Sequence, residues 1–219
     1  MSATSTEPDE MRRLLTAGAP RPLISRAAEQ RLGERHGEVL DGLERTLLDE
    51  GLSGFTVAQL AARMGCSRRT LYELAPSKEQ LQLVVLDRLL HRLGRQAVAA
   101  VDPASSVVEQ LRQYVTSGID FAFRSTAHDD LADVPAARRL LDRHHRFAST
   151  IIERMINVGI ARGELRVVNP SVVAAVVSTS AVHLAQPEVL DDIGLELAQV
   201  LDEMFDALLG GLRRRPDSV

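Results

Sequence analysis

Two adjacent arginines, Arg68 and Arg69, stand where the sequence predicts the first turn of a short helix. Ser67 precedes them and suits the N-cap position, because its hydroxyl can accept a hydrogen bond from a free backbone N–H group. Guanidinium groups donate paired hydrogen bonds to guanine edges and to phosphate oxygens. Two of them on one helical turn predict a surface that could contact DNA, unless they only form the solvated basic face of an ordinary helical hairpin.

A second predicted helix lies just before these arginines. Thr56 and Gln59 have the spacing of a capping box, in which two side chains bond the free N–H groups of the first turn. Leu60 and Met64 fall on one face of this helix, and Gly65 is placed to end it, since glycine adopts the left-handed conformation at low cost. Two short helices, a glycine-containing turn and a basic second helix are the features of a helix-turn-helix.

Another helix start follows directly. Pro76 is expected to stop the basic helix, and Ser77 to cap the next one, with Gln80 three residues later as its capping-box partner. Lys78 then lies in the first turn, where free backbone N–H groups and a positive side chain together favour a phosphate. The sequence therefore predicts a phosphate-binding helix end beside the helix-turn-helix.

From about Arg35 to Val85 the chain resembles the tetracycline-repressor (TetR) family of bacterial transcription factors, without a gap. The resemblance implies an all-α fold, in which an N-terminal helix-turn-helix domain of three helices is joined to a larger helical ligand-binding and dimerisation domain. The chain departs from the family at Ala75, where an aromatic residue is common, and at Arg69, where glycine is frequent. The residues that carry the match are Gly51, Phe55, Thr56, Val57, Leu60, Ala61, Gly65, Cys66, Ser67, Thr70, Leu71, Tyr72, Pro76, Ser77, Lys78, Glu79 and Leu81.

The resemblance also implies roles for single residues at the DNA. Arg68 and Arg69 would contact base edges, and Thr70 and Tyr72 would add contacts to the backbone or to thymine methyl groups. Glu73 could accept a hydrogen bond from a cytosine amino group or pair with Arg69 at helical spacing, and the pairing is favoured. The contacts to phosphates that set the register are expected from Thr56, Ser67 and Lys78.

Helical periodicity and breaks divide the chain into three expected regions. These are a flexible N-terminal extension over residues 1–30, the helix-turn-helix domain over residues 31–76, and the ligand-binding and dimerisation domain over residues 77–213. Within the last region, one helix is predicted to start at Asp102–Pro103. The apolar stripes of the two terminal helices, over Val172–Leu184 and Ile193–Leu208, are wider than one neighbour can cover. With the resemblance, this indicates a homodimer.

The resemblance further implies a pocket for a small-molecule effector among the middle helices. Few charges lie on the apolar stripes of these helices, so an apolar effector is expected. For each candidate lining residue, the alternative is a plain core position. The candidates are Tyr114, Phe121, Phe123, His144, Phe147 and Met155.

Composition and motifs limit the class of protein, the cellular compartment and the kinds of site that the sequence allows. The net charge is −4, but four cations and one anion between Phe55 and Lys78 give that stretch a charge of +3. The single cysteine, Cys66, excludes an internal disulfide and, with no signal-peptide pattern, favours a cytoplasmic location. No Gly-x-Ser-x-Gly elbow and no glycine-rich phosphate loop are present. Adjacent His144 and His145 point to different helix faces, so no metal site is expected.

The expected function is a ligand-responsive, DNA-binding transcriptional regulator, a repressor that reads a palindromic operator in double-stranded DNA as a homodimer. It is expected to need no cofactor, to contact no membrane and to have no enzymatic activity. The alternative is a helical small-molecule-binding or enzymatic protein that no longer binds DNA. An activator would share every residue singled out above.

Overall fold

The structure is a computed structural model that describes residues 13–24, 31–124 (with side chains as far as 119) and 134–210. The regular elements in these ranges are helices, which confirms the predicted all-α class. They are α1 (Glu34–Glu50), α2 (Val57–Arg63), α3 (Arg68–Leu74), α4 (Lys78–Ala100), α5 (Val107–Arg124), α6 (Pro135–Ala161), α7 (Pro170–Leu184), α8 (Pro187–Ile193) and α9 (Leu197–Gly210).

The chain folds into two compact units. The first, called here the N-terminal unit, comprises Pro20–Leu93 and Arg124–His144. The second, the C-terminal unit, comprises Met1–Ala19, Gly94–Phe123 and His145–Val219. The N-terminal unit thus contains α1 to α3 and most of α4. The domain boundaries predicted at residues 30, 76 and 213 stay predictions.

In the N-terminal unit, α1 buries one apolar face. Leu40, Leu43 and Leu47 recur at helical spacing on this face and are fully buried. The helix stops where the sequence predicts, at Gly51, whose φ of 75° lies in the left-handed region and whose N–H group donates to Leu47 O at 3.3 Å. The position of α1 is therefore set by packing, and its end by one glycine.

A buried ion pair joins α1 to α4. The carboxylate of Glu44 is almost fully buried, accepts a hydrogen bond from Arg88 and lies 2.8 Å from Arg92 Nη2. A buried carboxylate with two cationic partners is held firmly, because removing either partner would leave charge without compensation in a poorly solvated place. This pair fixes the two helices that flank the short α2 and α3 in the chain.

The core of the C-terminal unit includes residues of α5, α6, α7 and α9. Phe205 of α9 is its largest fully buried side chain. The guanidinium of Arg112, on α5, lies over the Phe205 ring with 5.2 Å to the ring centroid, and it also pairs with Asp202 and, at 2.8 Å, with Asp206. The last helix is therefore held to α5 by a cation–π contact and by two ion pairs, all made by the Arg112 guanidinium.

Part of the extension predicted to be flexible packs on the fold instead. Leu15 is buried in the core of the C-terminal unit. Arg154 of α6 donates to Leu14 O at 2.8 Å and to Ala17 O at 2.7 Å. These carbonyls end a short helical turn, where a cation is favourable. Residues 1–12 and 25–30 of the extension lie outside the described residues.

Two predicted helix starts differ from the structure. The helix expected at Asp102–Pro103 begins later, because the Asp102 carboxylate forms a turn by accepting from Ala104 N at 2.9 Å. The Ser106 hydroxyl, which accepts from Glu109 N at 3.3 Å, caps α5 instead. At the end of the chain, the left-handed Gly194 closes the separate helix α8, so Ile193 does not belong to the terminal helix.

Helix α7 contains no Asp, Glu, Lys or Arg and is apolar on two faces. Val177 and Ala181 are buried, whereas Val172, Val176 and Val182 are 58%, 43% and 38% exposed on the other side. The prediction of an apolar stripe that the subunit does not cover is therefore confirmed for α7. Among the described residues no single helix is long and apolar enough to cross a membrane. In that part of the chain, only α7 and α8 taken together have the length and apolar composition of a membrane span, and they are bent by 81° at their junction.

The same prediction is wrong for α9. Val200 and Met204, which form part of its apolar stripe, are buried within the subunit. The outward side carries Asp202, Glu203 and Asp206 instead. The stripe on α9 is as wide as the sequence suggests, but the subunit's own core covers it.

Candidate nucleic-acid interface

The capping box predicted at the start of α2 is present. Thr56 Oγ1 accepts from Gln59 N at 3.2 Å, and Gln59 Oε1 accepts from Thr56 N at 2.8 Å. The Thr56 hydroxyl also donates to Gln59 Oε1 at 2.9 Å. Both side chains are exposed, and together they fix where α2 begins and how the preceding chain enters it.

The turn between α2 and α3 is a Schellman motif. Cys66 N donates to Ala61 O at 2.9 Å and Gly65 N donates to Ala62 O at 3.1 Å, which are the two bonds that define this motif. Gly65 has a φ of 59°, so the left-handed position falls on glycine as predicted. Burial raises the pKa of the Cys66 thiol, which disfavours a reactive thiolate in this turn.

Helix α3 begins at the predicted cap. Ser67 Oγ accepts from Thr70 N at 3.1 Å and lies 3.0 Å from Thr70 Oγ1. Leu71 and Leu74 are buried on the inner side of α3. The hydrogen bonds donated by Gly65 N, Cys66 N and Thr70 N therefore fix where α3 begins, and the burial of its two leucines fixes its rotation.

The outer side of α3 carries the predicted base-contacting residues. Arg68 is exposed, the side chain of Arg69 is 88% exposed, and Tyr72 is 52% exposed. Thr70 is half-buried beside Ser67. The structure therefore brings Arg68, Arg69 and Tyr72 to one uncovered surface, with two guanidinium groups available for hydrogen bonds.

Glu73 pairs with Arg69, as the sequence favours. Its Oε1 lies 3.1 Å from Arg69 Nε, and its Oε2 lies 3.1 Å from His36 Nε2 of α1. The hydrogen bond from Arg69, followed by that from His36, lowers the pKa of Glu73 below its ordinary value. The acid on α3 thus holds one arginine and ties α3 to α1.

The cap predicted at the start of α4 is present, and phosphate binding there stays a prediction. Ser77 Oγ accepts from Gln80 N at 3.2 Å. Lys78 Nζ donates to Ser53 O at 2.6 Å and so ties α4 to the loop before α2. An ammonium group has three N–H donors, and two of them remain for an anion. Ala75, where the family commonly has an aromatic residue, is buried at this corner.

One contributor to this surface could not be found from the sequence. Arg35 of α1 donates to Met64 O at 3.1 Å and to Gly65 O at 2.6 Å. These are carbonyls at the C-terminal end of α2, where a cation is favourable. The contact spans about 30 positions of the chain, so no local pattern indicates it. Arg35 adds positive charge directly beside the turn.

The candidate effector residues fall into separate groups. Tyr114 and Met155 are buried in the core of the C-terminal unit, and Phe147 packs against that core. The side chains of Phe121 and Phe123 lie outside the described residues. His144 belongs to the N-terminal unit, where it faces Asp87 at 3.4 Å.

Comparison with known proteins gives one family. Residues 39–85 match the sequence profile of the bacterial regulatory proteins of the tetR family. Two uncharacterised helix-turn-helix-type transcriptional regulators of Mycobacterium tuberculosis are 29% identical over 79 residues, which is 36% of this chain. The match spans 39% of the length of these relatives.

Solved structures share the fold over most of the chain. A protein described as a TetR-family transcriptional regulator from Rhodococcus sp. has a TM-score of 0.68 at 18% identity, covering 81% of this chain and 98% of that protein. AibR, solved in complex with isovaleryl coenzyme A and operator DNA, has a TM-score of 0.57 at 20% identity, covering 80% of this chain and 97% of that one. The residues that match this profile span the capped α2, its glycine turn and the exposed basic α3, so this part of the chain is similar to the bacterial regulatory proteins of the tetR family.

Proposed function

We propose that the chain is a ligand-responsive transcriptional repressor that reads a palindromic operator as a homodimer in the cytoplasm. The observation that carries the proposal is α3, which is capped by Ser67 at its start and leaves Arg68, Arg69 and Tyr72 uncovered. A short helix presented in this way fits the major groove of B-DNA. The match of residues 39–85 to the profile of the tetR family supports the same conclusion.

In this proposal Arg68 and Arg69 contact base edges. The Nε of Arg69 is engaged by Glu73, but its two terminal nitrogens still form the fork that matches guanine O6 and N7. Tyr72 and Thr70 add contacts to the backbone or to thymine methyl groups. Sequence preference is therefore assigned to the two arginines.

Lys78 is the strongest candidate for a phosphate contact, because only one of its three donors is bonded to Ser53. The hydroxyls of Thr56 and Ser67 already serve the caps of α2 and α3. Thr56 can donate to a phosphate only by giving up its bond to Gln59, whereas Ser67 can donate to one while Thr70 donates to Ser67. We therefore expect the Thr56 and Ser67 hydroxyls to set the position of α2 and α3 on the DNA and to supply only a small part of the DNA affinity.

The test of this assignment is a binding series on an operator selected from random DNA. Arg69→Ala should weaken operator binding by about 1–3 kcal/mol per half-site and relax base preference. Lys78→Ala should weaken binding to all sequences and flatten the salt dependence. Arg146→Ala, which removes an exposed charge from α6 in the C-terminal unit, is the matched control and should leave both unchanged.

Two results would contradict the assignment. If Arg69→Ala changes neither affinity nor base preference, the base contacts lie elsewhere. If the unmodified protein selects no sequence from random DNA, the alternative of a helical ligand-binding protein without DNA binding replaces the proposal.

The homodimer is proposed to form through the exposed face of α7. Helix α7 exposes valines over three turns, and exposed apolar surface of this kind is stabilised by burial against a partner. The same helix of a second subunit can bury it in a symmetric dimer. Val176→Arg should yield monomers in light scattering at micromolar concentration, whereas Ala207→Arg on the acidic side of α9 should not. Met204→Arg would instead disrupt the subunit's own core. A stable wild-type monomer at that concentration would refute the dimer.

The effector is proposed to be apolar and to bind in the C-terminal unit. Tyr114, Phe147 and Met155 share its core, and one helical turn before Tyr114 the Oε1 of Gln110 is buried without a hydrogen-bond partner among the described residues. Apolar walls with one unsatisfied polar atom suit an apolar ligand with a single polar group. AibR, whose solved structure shares this fold, was solved with isovaleryl coenzyme A, and only the branched acyl end of that molecule has the apolar character proposed here.

Binding would shift the population towards dimers whose α3 helices no longer match the half-site spacing. Phe147→Ala should change which acyl coenzyme A thioesters or fatty acids release the operator, while the ligand-free protein binds it nearly as before. If Phe147 is plain core, the same change should lower stability by about 3–5 kcal/mol without altering ligand selectivity. Thermal melts and operator titrations on this variant separate the two outcomes.

A further inference from the structure

Asp87 of α4 is a buried carboxylate with two imidazoles around one of its oxygens. His91 Nδ1 lies 3.5 Å and His144 Nε2 lies 3.4 Å from Asp87 Oδ1. The side chain of Asp87 is 2% exposed, and both imidazoles are largely buried. The two rings stand edge to face with centroids 4.7 Å apart. Three atoms that commonly bind metal ions thus lie within 4.8 Å of one another.

The distances from the two imidazole nitrogens to Asp87 Oδ1 fit the edges of a metal ion's ligand shell as well as they fit long hydrogen bonds. Good N–H···O bonds measure about 2.7–3.2 Å, and both nitrogens lie farther than this from Oδ1. Two ligands about 2.0–2.1 Å from a tetrahedral zinc ion are separated by about 3.3–3.4 Å. The observed separations of 3.4 and 3.5 Å match this edge length.

The surrounding hydrogen bonds orient the ligand atoms. His91 Nε2 lies 2.9 Å from Pro20 O, and the tautomer that donates there is the one that a metal-binding Nδ1 requires. The other nitrogen, Nδ1, is then unprotonated, yet it faces Asp87 O at 2.8 Å as well as Oδ1. Leu23 N donates to Asp87 Oδ2 at 2.7 Å. Such outer contacts are the usual support of metal-binding histidines and carboxylates.

We propose that Asp87, His91 and His144 form a binding site for a divalent transition-metal ion of the zinc type. Imidazole nitrogens suit zinc and its neighbours, whereas magnesium and calcium prefer shells of oxygen ligands. Three protein ligands leave a fourth tetrahedral position for water or for a donor atom of a bound molecule. The ligands come from α4 and α6, and the supporting bonds come from residues 20–23, so the ion holds these three parts of the N-terminal unit together.

Arg143 is the competitor for this site. Its Nη2 lies 3.0 Å from Asp87 Oδ1, and its Nε is buried without a hydrogen-bond partner among the described residues. A metal ion has to displace this guanidinium from Oδ1. The side chain is 39% exposed, so the guanidinium can turn towards solvent.

The experiment uses the full, untagged chain stripped with a chelator and titrated with Zn²⁺ by calorimetry and with Co²⁺ by visible absorption. We expect one ion per chain and the intense absorption of tetrahedral cobalt. His144→Gln should weaken binding by at least about 100-fold, the upper range for loss of a mere supporting contact. His145→Gln, which changes the adjacent exposed histidine, should leave the affinity unchanged.

A second variant separates a metal site from a network of ion pairs. Arg143→Ala should tighten metal binding, because the competing cation is gone, whereas in a network without metal it would only lower stability. Circular dichroism of each variant checks that it is folded. The proposal is overturned if His144→Gln binds the metal as tightly as the unmodified chain does. It is also overturned if the unmodified chain shows no saturable metal binding below about 100 µM, because weaker binding would contribute little to the stability of the fold.

Discussion

Replacing Gly65 by alanine adds a single methyl group to the turn between α2 and α3. With a φ of 59°, Gly65 lies in the left-handed region, where a residue with a Cβ atom is disfavoured by about 1–2 kcal/mol. The added Cβ would meet Arg35 Nη2 at 3.6 Å, an ordinary contact distance, so no clash adds to this strain. We expect Gly65→Ala to lower the free energy of unfolding by about 1–2 kcal/mol.

Gly37 supplies a control of opposite sign. It lies inside α1, and a Cβ built there meets nothing within 4 Å. The same methyl group should therefore raise the free energy of unfolding by about 0.5–1 kcal/mol, because glycine is unfavourable inside a helix. Urea unfolding followed by circular dichroism measures both variants. The reasoning is refuted if both substitutions shift the free energy in the same direction, or if Gly65→Ala is as stable as the unmodified chain.

Three further outcomes are expected. Glu73→Gln should strengthen DNA binding and steepen its salt dependence in titrations, because the anion that now holds Arg69 is removed. Arg112→Ala should lower the melting temperature by more than a single exposed ion pair would, since contacts to Asp202, Asp206 and Phe205 are lost together; an unchanged melt would contradict this. Thr56→Ala should lower the free energy of urea unfolding by about 0.5–2 kcal/mol by opening the capping box, and no loss would show that the box is dispensable.

The helix ends of the candidate interface could be predicted from the sequence because they depend on residues close in the chain. Thr56 with Gln59, Ser67 with Thr70, and Gly65 each act through backbone groups within a few positions. The start of α5 was predicted wrongly for a related reason. Asp102 and Ser106 both offer capping oxygens, and only the folded chain shows that Ser106 caps the helix while Asp102 makes the turn before it.

Contacts between distant positions could not be predicted. Arg35 lies on α1 and donates a hydrogen bond to Gly65 O in the turn, and no periodic pattern in the sequence indicates this contact. Asp87 and His91 have a spacing that places both on one side of α4, but the sequence shows no reason to add His144, which comes from another helix. His145, which is adjacent to His144 in the sequence, is exposed and does not belong to the cluster of Asp87, His91 and His144.

The bonds that shape α2, its turn and α3 join residues at most five positions apart, as from Cys66 N to Ala61 O. Closing such short loops loses little chain entropy and takes well under a microsecond. The bond between Glu44 and Arg92, by contrast, spans 48 positions. On the ribosome, the turn and its caps can therefore form as soon as this stretch emerges, before α4 is complete. The local bonds of the proposed DNA-contacting part can thus close early in folding, and docking then stabilises two helices of seven residues each that are too short to be stable alone.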